Sequence, residues 1–376
     1  MKKKILFVVS SPGLSSYSSG VLKAVYQSIA VDCHVLIFID PNENKTEESL
    51  LKEYNVPASG SVKVKFIYYH KSKILKHLNQ GAYNDAIIRI ASEFGIKKIH
   101  FISQDTILSN NIYKYKKNDI YYTVHDLKHH DSKVNLLTKL KTYYLKIRKD
   151  KYIVKRVKNL VTSSLHQYEE LIKLYPNKSI FYHDMPSLIT PQIICGTSKV
   201  KELDGETNYI LFFGRIELYK GVEFLYDLLI KNEIPNLKLV IAGYGHIYFS
   251  RQIENEQKII FINRFIHDEE MNDLFSKAHS IVLPYISATQ SAVTSLAYHY
   301  NKPVVLSDLD GLKDNVVDGV TGLLFQAKNS NDLRDKMNQL IENQNLYKQI
   351  QKNQLSLAPG IYDLERLKAQ IESIYY

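Results

Sequence analysis

Short apolar runs rich in β-branched residues recur along the chain, and the stretches between them are long enough for helices. This spacing is typical of repeated β-α-β units and predicts parallel sheets with helices packed on their faces. In the first half, the predicted strands are Lys4–Val9, Cys33–Ile39, Val62–Tyr68, Lys98–Ser103, Ile120–Val124, Asn159–Thr162 and Ser179–Tyr182. In the second half, they are Asn208–Phe213, Leu237–Ala242, Lys258–Ile262, Ser280–Leu283, Pro303–Leu306 and Gly322–Phe325.

The periodic pattern is interrupted between Met185 and Asp204, in a segment that contains Pro and Gly. We therefore predict an α/β protein with two Rossmann-like, doubly wound parallel-sheet domains, residues 1–190 and 191–360. A helical segment, 361–376, follows Pro359-Gly360 and is expected to pack back on the first domain. Two such domains facing each other enclose a central cleft at the carboxyl ends of their strands, where these folds bind ligands.

Length and composition are those of a globular protein. The 376 residues suffice for two domains, and 45% apolar with 23% charged residues argue against disorder. Apolar runs such as Ile5–Val9 are far shorter than the roughly 18 residues of a membrane span. Met1 leads into a strand without a secretory signal, and Cys33 and Cys195 are too few for a disulfide framework. The sequence thus predicts a cytoplasmic protein.

The positive charge is confined to the first half of the chain. Residues 1–190 contain 30 Lys and Arg against 16 Asp and Glu, whereas residues 191–376 contain 19 against 23. Nine cations and one acid fall in Lys139–Lys158, where apolar residues recur at helical spacing, and Lys63–His77 adds five lysines. This pattern favours an anionic membrane surface as a partner over a merely solvated basic face. Nucleic acid is a rival partner for this charge, but no recognised binding motif accompanies it.

The segment Phe212–Gly221 has the strongest chemical signature. A strand ends at Gly214, and Arg215 and Lys220 lie in the turn that leads to a helix from about Val222. Arg offers a planar fork to phosphate oxygens and Lys a compact charge, so this pair could stabilise a diphosphate. Two solvated surface cations are the alternative, and the strand-end position between two glycines favours the functional interpretation.

Two further loops follow predicted strands of the second half. Gly243-Tyr244-Gly245 is a weak signal alone, because such turns often only reverse the chain. The loop from Pro284 to Val293 contains Thr289 and Ser291 before a helical run, Thr294–Tyr300. Amide groups and hydroxyls at a helix start can bind an anion, although an ordinary Ser/Thr N-cap is the alternative.

The order of these motifs resembles the donor-binding domain of glycosyltransferase family 4, whose retaining enzymes have the two-domain GT-B fold. The resemblance rests on Phe-Gly-Arg…Lys-Gly, Ala-Gly-Tyr-Gly, Pro-Tyr…Ala-Thr-Gln-Ser, Lys-Pro-Val-Val and Val-Asp-Gly-Val-Thr-Gly, within residues 208–345. In the first half it rests on strand order and on Thr123-Val124-His125-Asp126.

The resemblance implies transfer from a nucleotide-diphosphate sugar with retention and without a metal ion or other cofactor. It makes Arg215, Lys220 and His125 the catalytic candidates, with His125 reaching the donor sugar. The implied donor-binding residues are Gly214, Gly243, Gly245, Arg264, Thr289, Gln290, Ser291 and Val293. Many members carry two Glu residues eight positions apart, where this chain has Ala288 and Leu296. The sequence resembles instead the branch with Ala-Thr-Gln-Ser, with Ala292 in place of the Gly that usually follows.

Some polar residues remain ambiguous. Gly13 and Ser19, in or after the first loop, and Asp126 and His129, near the fifth strand, are candidates for acceptor or loop contacts. The first helix is expected to begin near Gly20, so Ser18 or Ser19 could equally be a plain N-cap. Asp308-Leu309-Asp310 is interpreted as structural, and no metal site is expected.

These expectations converge on a peripheral glycosyltransferase at the inner face of the plasma membrane. Its acceptor would be lipid-linked or a glycan, in the assembly of bacterial O-antigen, capsule or exopolysaccharide. Two alternatives stay open: a non-catalytic GT-B binding subunit, suggested by the absent Glu pair, and another GT-B enzyme such as a nucleotide-sugar epimerase or a phosphorylase.

Overall fold

The structure is a computed structural model of the chain that describes residues 2–11, 15–103, 107–127, 148–234 and 237–376. Gly13, His129 and residues 139–147 of the predicted basic segment lie outside these ranges. The chain divides into two compact units. The first contains residues up to Pro186 together with Asp363–Tyr376, and the second contains Ser187–Tyr362.

The first unit is built on a parallel sheet. Its strands are β1 (Lys3–Val9), β2 (Val31–Ile39), β3 (Lys63–Tyr68), β4 (Lys98–Phe101), β5 (Asp119–Thr123), β6 (Asn159–Thr162) and β7 (Ser179–Tyr182). The described residues place these seven strands in the order β3-β2-β1-β4-β5-β6-β7, with every neighbouring pair parallel. The strand order reverses between β1 and β4, the point at which such sheets bind ligands.

Both faces of this sheet are covered, which explains why its strands are apolar runs rather than alternating ones. Ile5, Phe7 and Val9 of β1 belong to one buried cluster, whereas Leu6 and Val8 belong to another. The helices of this unit are Ser15–Tyr26, Glu47–Glu53, Lys73–Leu78, Gln80–Glu93, Arg148–Arg156, Leu165–Leu174 and Leu364–Ile374. The first and last of these helices pack together on one face of the sheet.

The second unit repeats the same architecture. Its strands are β8 (Tyr209–Phe213), β9 (Leu239–Ala242), β10 (Ile259–Ile262), β11 (Ala278–Leu283), β12 (Val304–Ser307) and β13 (Gly322–Phe325). Within the described ranges these six strands form a parallel sheet in the order β10-β9-β8-β11-β12-β13. Its helices are Pro191–Cys195, Val222–Ile230, Met271–Ser276, Val293–His299, Ser330–Glu342 and Gln344–Ile361.

The predicted fold class is confirmed: both halves of the chain are parallel α/β structures. Each predicted strand overlaps an observed one, and only the ends shift. None of the helices in the described part of the chain combines the length and the apolarity needed to cross a bilayer.

Two local predictions are wrong. The first helix begins at Ser15 rather than near Gly20, so Ser18 and Ser19 are buried inside it and are not N-caps. The Ser19 hydroxyl instead accepts a hydrogen bond of 2.7 Å from Asn55. The final helix begins at Leu364 rather than directly after Pro359-Gly360, because helix Gln344–Ile361 runs through both residues. The break comes at Tyr362, and Asp363 caps the next helix through the amide of Glu365.

Candidate functional site

The turn after β8 is attached to the segment after β11, its neighbour in the sheet. A single 3₁₀ turn, Leu218–Lys220, precedes helix Val222–Ile230. The carbonyl oxygen of Tyr219 accepts a hydrogen bond of 2.8 Å from the amide of Ile286. Gly221 has φ +62°, and a Cβ there would lie 1.9 Å from the carbonyl oxygen of Pro284. Only glycine therefore allows this close approach of the two backbones.

The two glycines that follow β8 and β9 also meet backbone to backbone. Gly214 and Gly243 both have φ +141°, and a Cβ on Gly243 would lie 2.1 Å from the Gly214 carbonyl oxygen. The amide of Gly245 donates to the side chain of Asn263, which donates back to the Gly245 carbonyl. The Gly-x-Gly motif thus packs the loops after β8, β9 and β10 together.

Lys220 is half-buried in an aromatic environment. Its ammonium lies 3.8 Å from the centroid of the Tyr285 ring and 5.1 Å from that of Tyr219. Burial lowers the pKa of Lys220, and the positive charge of Arg215 adds to this effect. Within the described ranges, Lys220 forms no ion pair with a carboxylate. A half-buried ammonium without a paired acid favours the approach of an anion.

The hydroxyl of Tyr285 is buried and lacks a hydrogen-bond partner in the described part of the chain. Burial raises the pKa of Tyr285 to about 12. The nearby Ser291 hydroxyl lowers this pKa without forming a hydrogen bond of good geometry. The sequence gives no signal that Tyr285 is a site residue, because aromatic residues are common in this chain.

Arg215 is exposed, in contrast to Lys220. Its side chain is 67% accessible, and its guanidinium lies 2.8 Å from Oε1 of Glu217. An exposed ion pair of this kind contributes about 0–1 kcal/mol, so an incoming phosphate can displace the carboxylate at small cost. The two predicted cations thus lie in one turn with different environments.

The loop before helix Val293–His299 lies beside this turn, since β11 is the direct neighbour of β8. Thr289 and Gln290 are half-buried and engaged in contacts, whereas Ser291 and Val293 are buried. The helix start has no strong side-chain cap, because the Ser291 hydroxyl accepts from the Val293 amide only at 3.4 Å.

The residues at the positions of the usual Glu pair are part of the apolar core. Leu296 is fully buried among core residues, and Ala288 packs against the same cluster. Their apolar character therefore has a packing function in this chain.

Arg264 is held by two carboxylates. Its guanidinium donates to both oxygens of Glu202, at 2.7 and 3.0 Å, and to both oxygens of Glu270, at 2.7 and 2.8 Å. These hydrogen bonds raise the pKa of Arg264. Asp308 accepts a hydrogen bond from the Ala327 amide, and Asp310 forms an ion pair with Lys313.

His125 follows β5 at the carboxyl edge of the first sheet and is buried. Its Nε2 lies 3.0 Å from the carbonyl oxygen of Ile102, so Nε2 carries the proton and Nδ1 is the acceptor. Burial lowers the pKa of His125 to about 4, against the opposing effect of Asp126. Asp126 is half-buried and engaged in contacts.

A second buried histidine at this edge was missed in the sequence. His183, after β7, lies 2.8 Å from the Asp184 carbonyl through Nδ1 and 2.9 Å from the Tyr17 hydroxyl through Nε2. Because the carbonyl only accepts, Nδ1 donates to it and Nε2 accepts from Tyr17. The Tyr17 ring packs edge-on against His125 at 4.8 Å. No short motif links these three positions, so only the fold reveals the cluster.

Known proteins resemble the chain at two levels. Residues 197–356 match the family described as Glycosyl transferases group 1. An uncharacterized glycosyltransferase of Methanocaldococcus jannaschii is 33% identical over 158 residues, which are 40% of this chain and 43% of that protein. The chain thus matches less than half of the length of this curated relative.

Solved structures resemble the whole chain. HepE of Anabaena in complex with UDP-glucose superposes with a TM-score of 0.70 at 16% identity, over 99% of both chains. WaaG, a glycosyltransferase involved in lipopolysaccharide biosynthesis, superposes with a TM-score of 0.66 at 13% identity, over 98% of this chain and 99% of that one. At such identities the likeness concerns the fold. Residues 197–356, within the second unit, are therefore similar to the glycosyl transferases group 1 family, and the structural neighbours of the chain are GT-B glycosyltransferases.

Proposed function

We propose that the protein is a retaining, metal-independent glycosyltransferase of family 4 that uses a nucleotide-diphosphate sugar as donor. The observation that carries this proposal is the half-buried Lys220 ammonium, which forms no ion pair with a carboxylate within the described ranges. It lies in one turn with Arg215, after a strand of the segment that matches the group 1 family. Two cations of this kind suit the two phosphates of a leaving nucleoside diphosphate.

In the proposed reaction the bond between the anomeric carbon and the diphosphate oxygen breaks, and a bond from an acceptor hydroxyl forms on the same face of the sugar. Negative charge builds on the departing diphosphate, and one of its phosphate oxygens takes the proton of the acceptor hydroxyl. Lys220 and Arg215 stabilise that charge, which grows toward the transition state. Desolvation strengthens the contribution of Lys220, since a charge interacts more strongly where water is excluded.

The other predicted residues have supporting roles in the proposal. Thr289, Gln290, Ser291 and Val293 bind the donor from the neighbouring loop, while Gly214, Gly243 and Gly245 shape its floor. Arg264, already held by two carboxylates, positions the loop after β10. His125 contacts the sugar as a neutral imidazole, in agreement with its lowered pKa.

The proposed donor is a uridine diphosphate sugar, and the proposed acceptor is lipid-linked or a polysaccharide. HepE was solved with UDP-glucose, and WaaG is involved in lipopolysaccharide biosynthesis. The basic first half, with Lys139–Lys158, supports a peripheral location on the cytoplasmic face of an anionic membrane. Bacterial O-antigen, capsule or exopolysaccharide assembly is the proposed pathway.

A non-catalytic nucleotide-sugar binding protein is the second candidate. Leu296 favours it, because a fully buried leucine occupies a position where many members of the family have a Glu. Binding of a nucleotide sugar without transfer to any acceptor would support this candidate over the first.

Thermal shift measurements with UDP, GDP, dTDP, CDP and their sugar conjugates test the donor site. A ligand at 100 times its Kd adds about 2.7 kcal/mol of stability. We expect one base to stabilise the wild type, and Arg215→Ala with Lys220→Ala to lose about tenfold or more in affinity. Arg334→Ala and Lys302→Ala are matched controls, because Arg334 is also in an ion pair with a carboxylate and burial also lowers the pKa of Lys302. Equal affinity of the double variant and the controls would contradict the proposed diphosphate site.

A further inference from the structure

Helix Lys73–Leu78 in the first unit exposes its apolar side chains. Ile74, Leu75 and Leu78 are 73%, 40% and 71% accessible, and no residue of this helix is buried. At 100° per residue these three side chains fall within about 100° of the helix circumference, so they form one apolar face. An exposed apolar face of this kind marks an interaction surface.

The polar side of this helix is fixed to the body of the first unit. Lys76 forms an ion pair of 2.9 Å with Asp40 and lies 3.7 Å from the centroid of the Tyr69 ring. Just before the helix, the carbonyl oxygen of Lys71 accepts a hydrogen bond of 3.1 Å from Asn42. These contacts hold the helix with its apolar face directed to solvent.

All charged residues in the sequence around this helix are basic. Between Tyr54 and Asn84 there are five lysines and neither Asp nor Glu. Lys71, Lys73 and His77 are exposed beside the apolar face. The lysines therefore favour an anionic partner. The apolar face requires that this partner can also bury three aliphatic side chains.

We infer that helix Lys73–Leu78 inserts Ile74, Leu75 and Leu78 into the interface of an anionic lipid bilayer, with Lys71 and Lys73 at the headgroups. A helix of six residues is only about 9 Å long. A stable protein interface buries about 800 Å² on each partner, whereas a bilayer accepts a few side chains at a time. The small apolar face thus favours a lipid surface over an acidic protein. This inference rests on the proposed membrane location of the first half and names an element that inserts.

Vesicle co-sedimentation of the full chain tests the inference. We expect binding to vesicles of phosphatidylcholine with phosphatidylglycerol, and little binding to phosphatidylcholine alone. Ile74→Ser with Leu78→Ser should reduce the partition coefficient about tenfold or more. The control is Ile253→Ser with Leu355→Ser, which removes an isoleucine and a leucine that are 71% and 64% accessible in the second unit. Unchanged binding of the Ile74/Leu78 variant, or an equal loss in the control, would overturn the inference.

A fluorescent reporter separates insertion from electrostatic attraction. The chain contains no tryptophan, so Ile74→Trp introduces a single indole. We expect its emission to shift to the blue on anionic vesicles and to be quenched by brominated lipid, whereas Ile253→Trp should show neither effect. Binding without a shift at position 74 would mean that the cations alone hold the protein, which would overturn insertion.

The membrane inference and the donor-site proposal are tested by separate measurements. UDP-induced thermal stabilisation is measured on the Ile74→Ser/Leu78→Ser variant without vesicles, and it should equal that of the wild type. Vesicle binding is measured in turn on Lys220→Ala, which leaves the helix unchanged. The membrane inference is supported if the Ile74→Ser/Leu78→Ser variant loses vesicle binding but still binds UDP. The donor-site proposal is supported if Lys220→Ala loses UDP binding but still binds vesicles.

Discussion

The Lys220 ammonium lies 3.8 Å from the centroid of the Tyr285 ring, and the hydroxyl of that ring is buried without a hydrogen-bond partner in the described part of the chain. A cation over an aromatic face contributes about 0.5–2 kcal/mol, depending on desolvation. The ring therefore holds the ammonium in place, while the hydroxyl contributes little to the unliganded fold.

Tyr285→Phe should leave the free energy of unfolding unchanged or raise it slightly. The substitution keeps the ring and removes a polar atom whose desolvation is uncompensated. Tyr285→Leu, which removes the ring, should destabilise the protein by about 2 kcal/mol. Urea unfolding followed by circular dichroism measures both. A loss above about 1 kcal/mol for Tyr285→Phe would indicate a hydrogen-bond partner of the hydroxyl.

The affinity for UDP should fall at alkaline pH as Lys220 loses its proton. Burial lowers the pKa of Lys220, so this loss begins at a lower pH than for an exposed lysine, while Arg215 keeps its charge. Lys220→Arg should flatten the profile, because arginine stays protonated throughout. Calorimetric titration of both proteins at the same pH values removes the ionisation of the ligand from the comparison. Parallel profiles would contradict a role of the Lys220 proton.

The two buried histidines at the edge of the first sheet should make the fold sensitive to acid. Burial lowers the pKa of both His125 and His183 to about 4, so the folded state binds fewer protons than the unfolded state between about pH 6.5 and 4. Their stabilising contribution is complete above about pH 6.5 and is lost as the pH falls toward 4.

The size of this effect is measurable with a single substitution. Each histidine steepens the pH dependence of the unfolding free energy by at most about 1.4 kcal/mol per pH unit. His183→Gln should therefore lower the slope of unfolding free energy against pH between pH 6 and 4.5 by about this amount. This change in slope is independent of any constant loss of stability, which is measured at pH 8. His166→Gln, at an exposed helix position, is the variant with which the slope of His183→Gln is compared.

Gly221→Ala should destabilise the second unit by about 3 kcal/mol or more. Its Cβ would combine a positive φ with a clash of 1.9 Å against a backbone oxygen, which cannot rotate away. Gly319→Ala is the matched control, since it has φ +70° and open space around it, and it should cost about 1–2 kcal/mol. Thermal unfolding of both variants measures the difference. Similar melting temperatures would mean that the turn after β8 yields to the extra carbon.

The strands were predictable from sequence because their signal is local. Runs such as Ile5–Val9 are buried on both faces of a parallel sheet and therefore stand out from the polar segments around them. The start of the first helix was not predictable, since Ser18 and Ser19 are buried by tertiary packing that overrides their preference for caps.

The candidate site was visible in the sequence only where its residues lie close together along the chain. Arg215 and Lys220 are close in sequence and were found as a pair, whereas Tyr17, His125 and His183 come together only through the order of the strands. The hydrogen bonds of Arg264 to Glu202 and Glu270 could not be predicted, because Glu202 is far from Arg264 along the chain.

The return of helix Leu364–Ile374 to the first unit has a consequence for synthesis on the ribosome. Leu367, Ile371 and Tyr375 complete the core that begins with β1, yet residues 187–362 are translated in between. At about 5–20 residues per second, this interval lasts about 10–35 s. Throughout it, the part of this sheet face that the last helix covers stays open beside the first helix. A chaperone that shields that part until release would raise the yield of native protein.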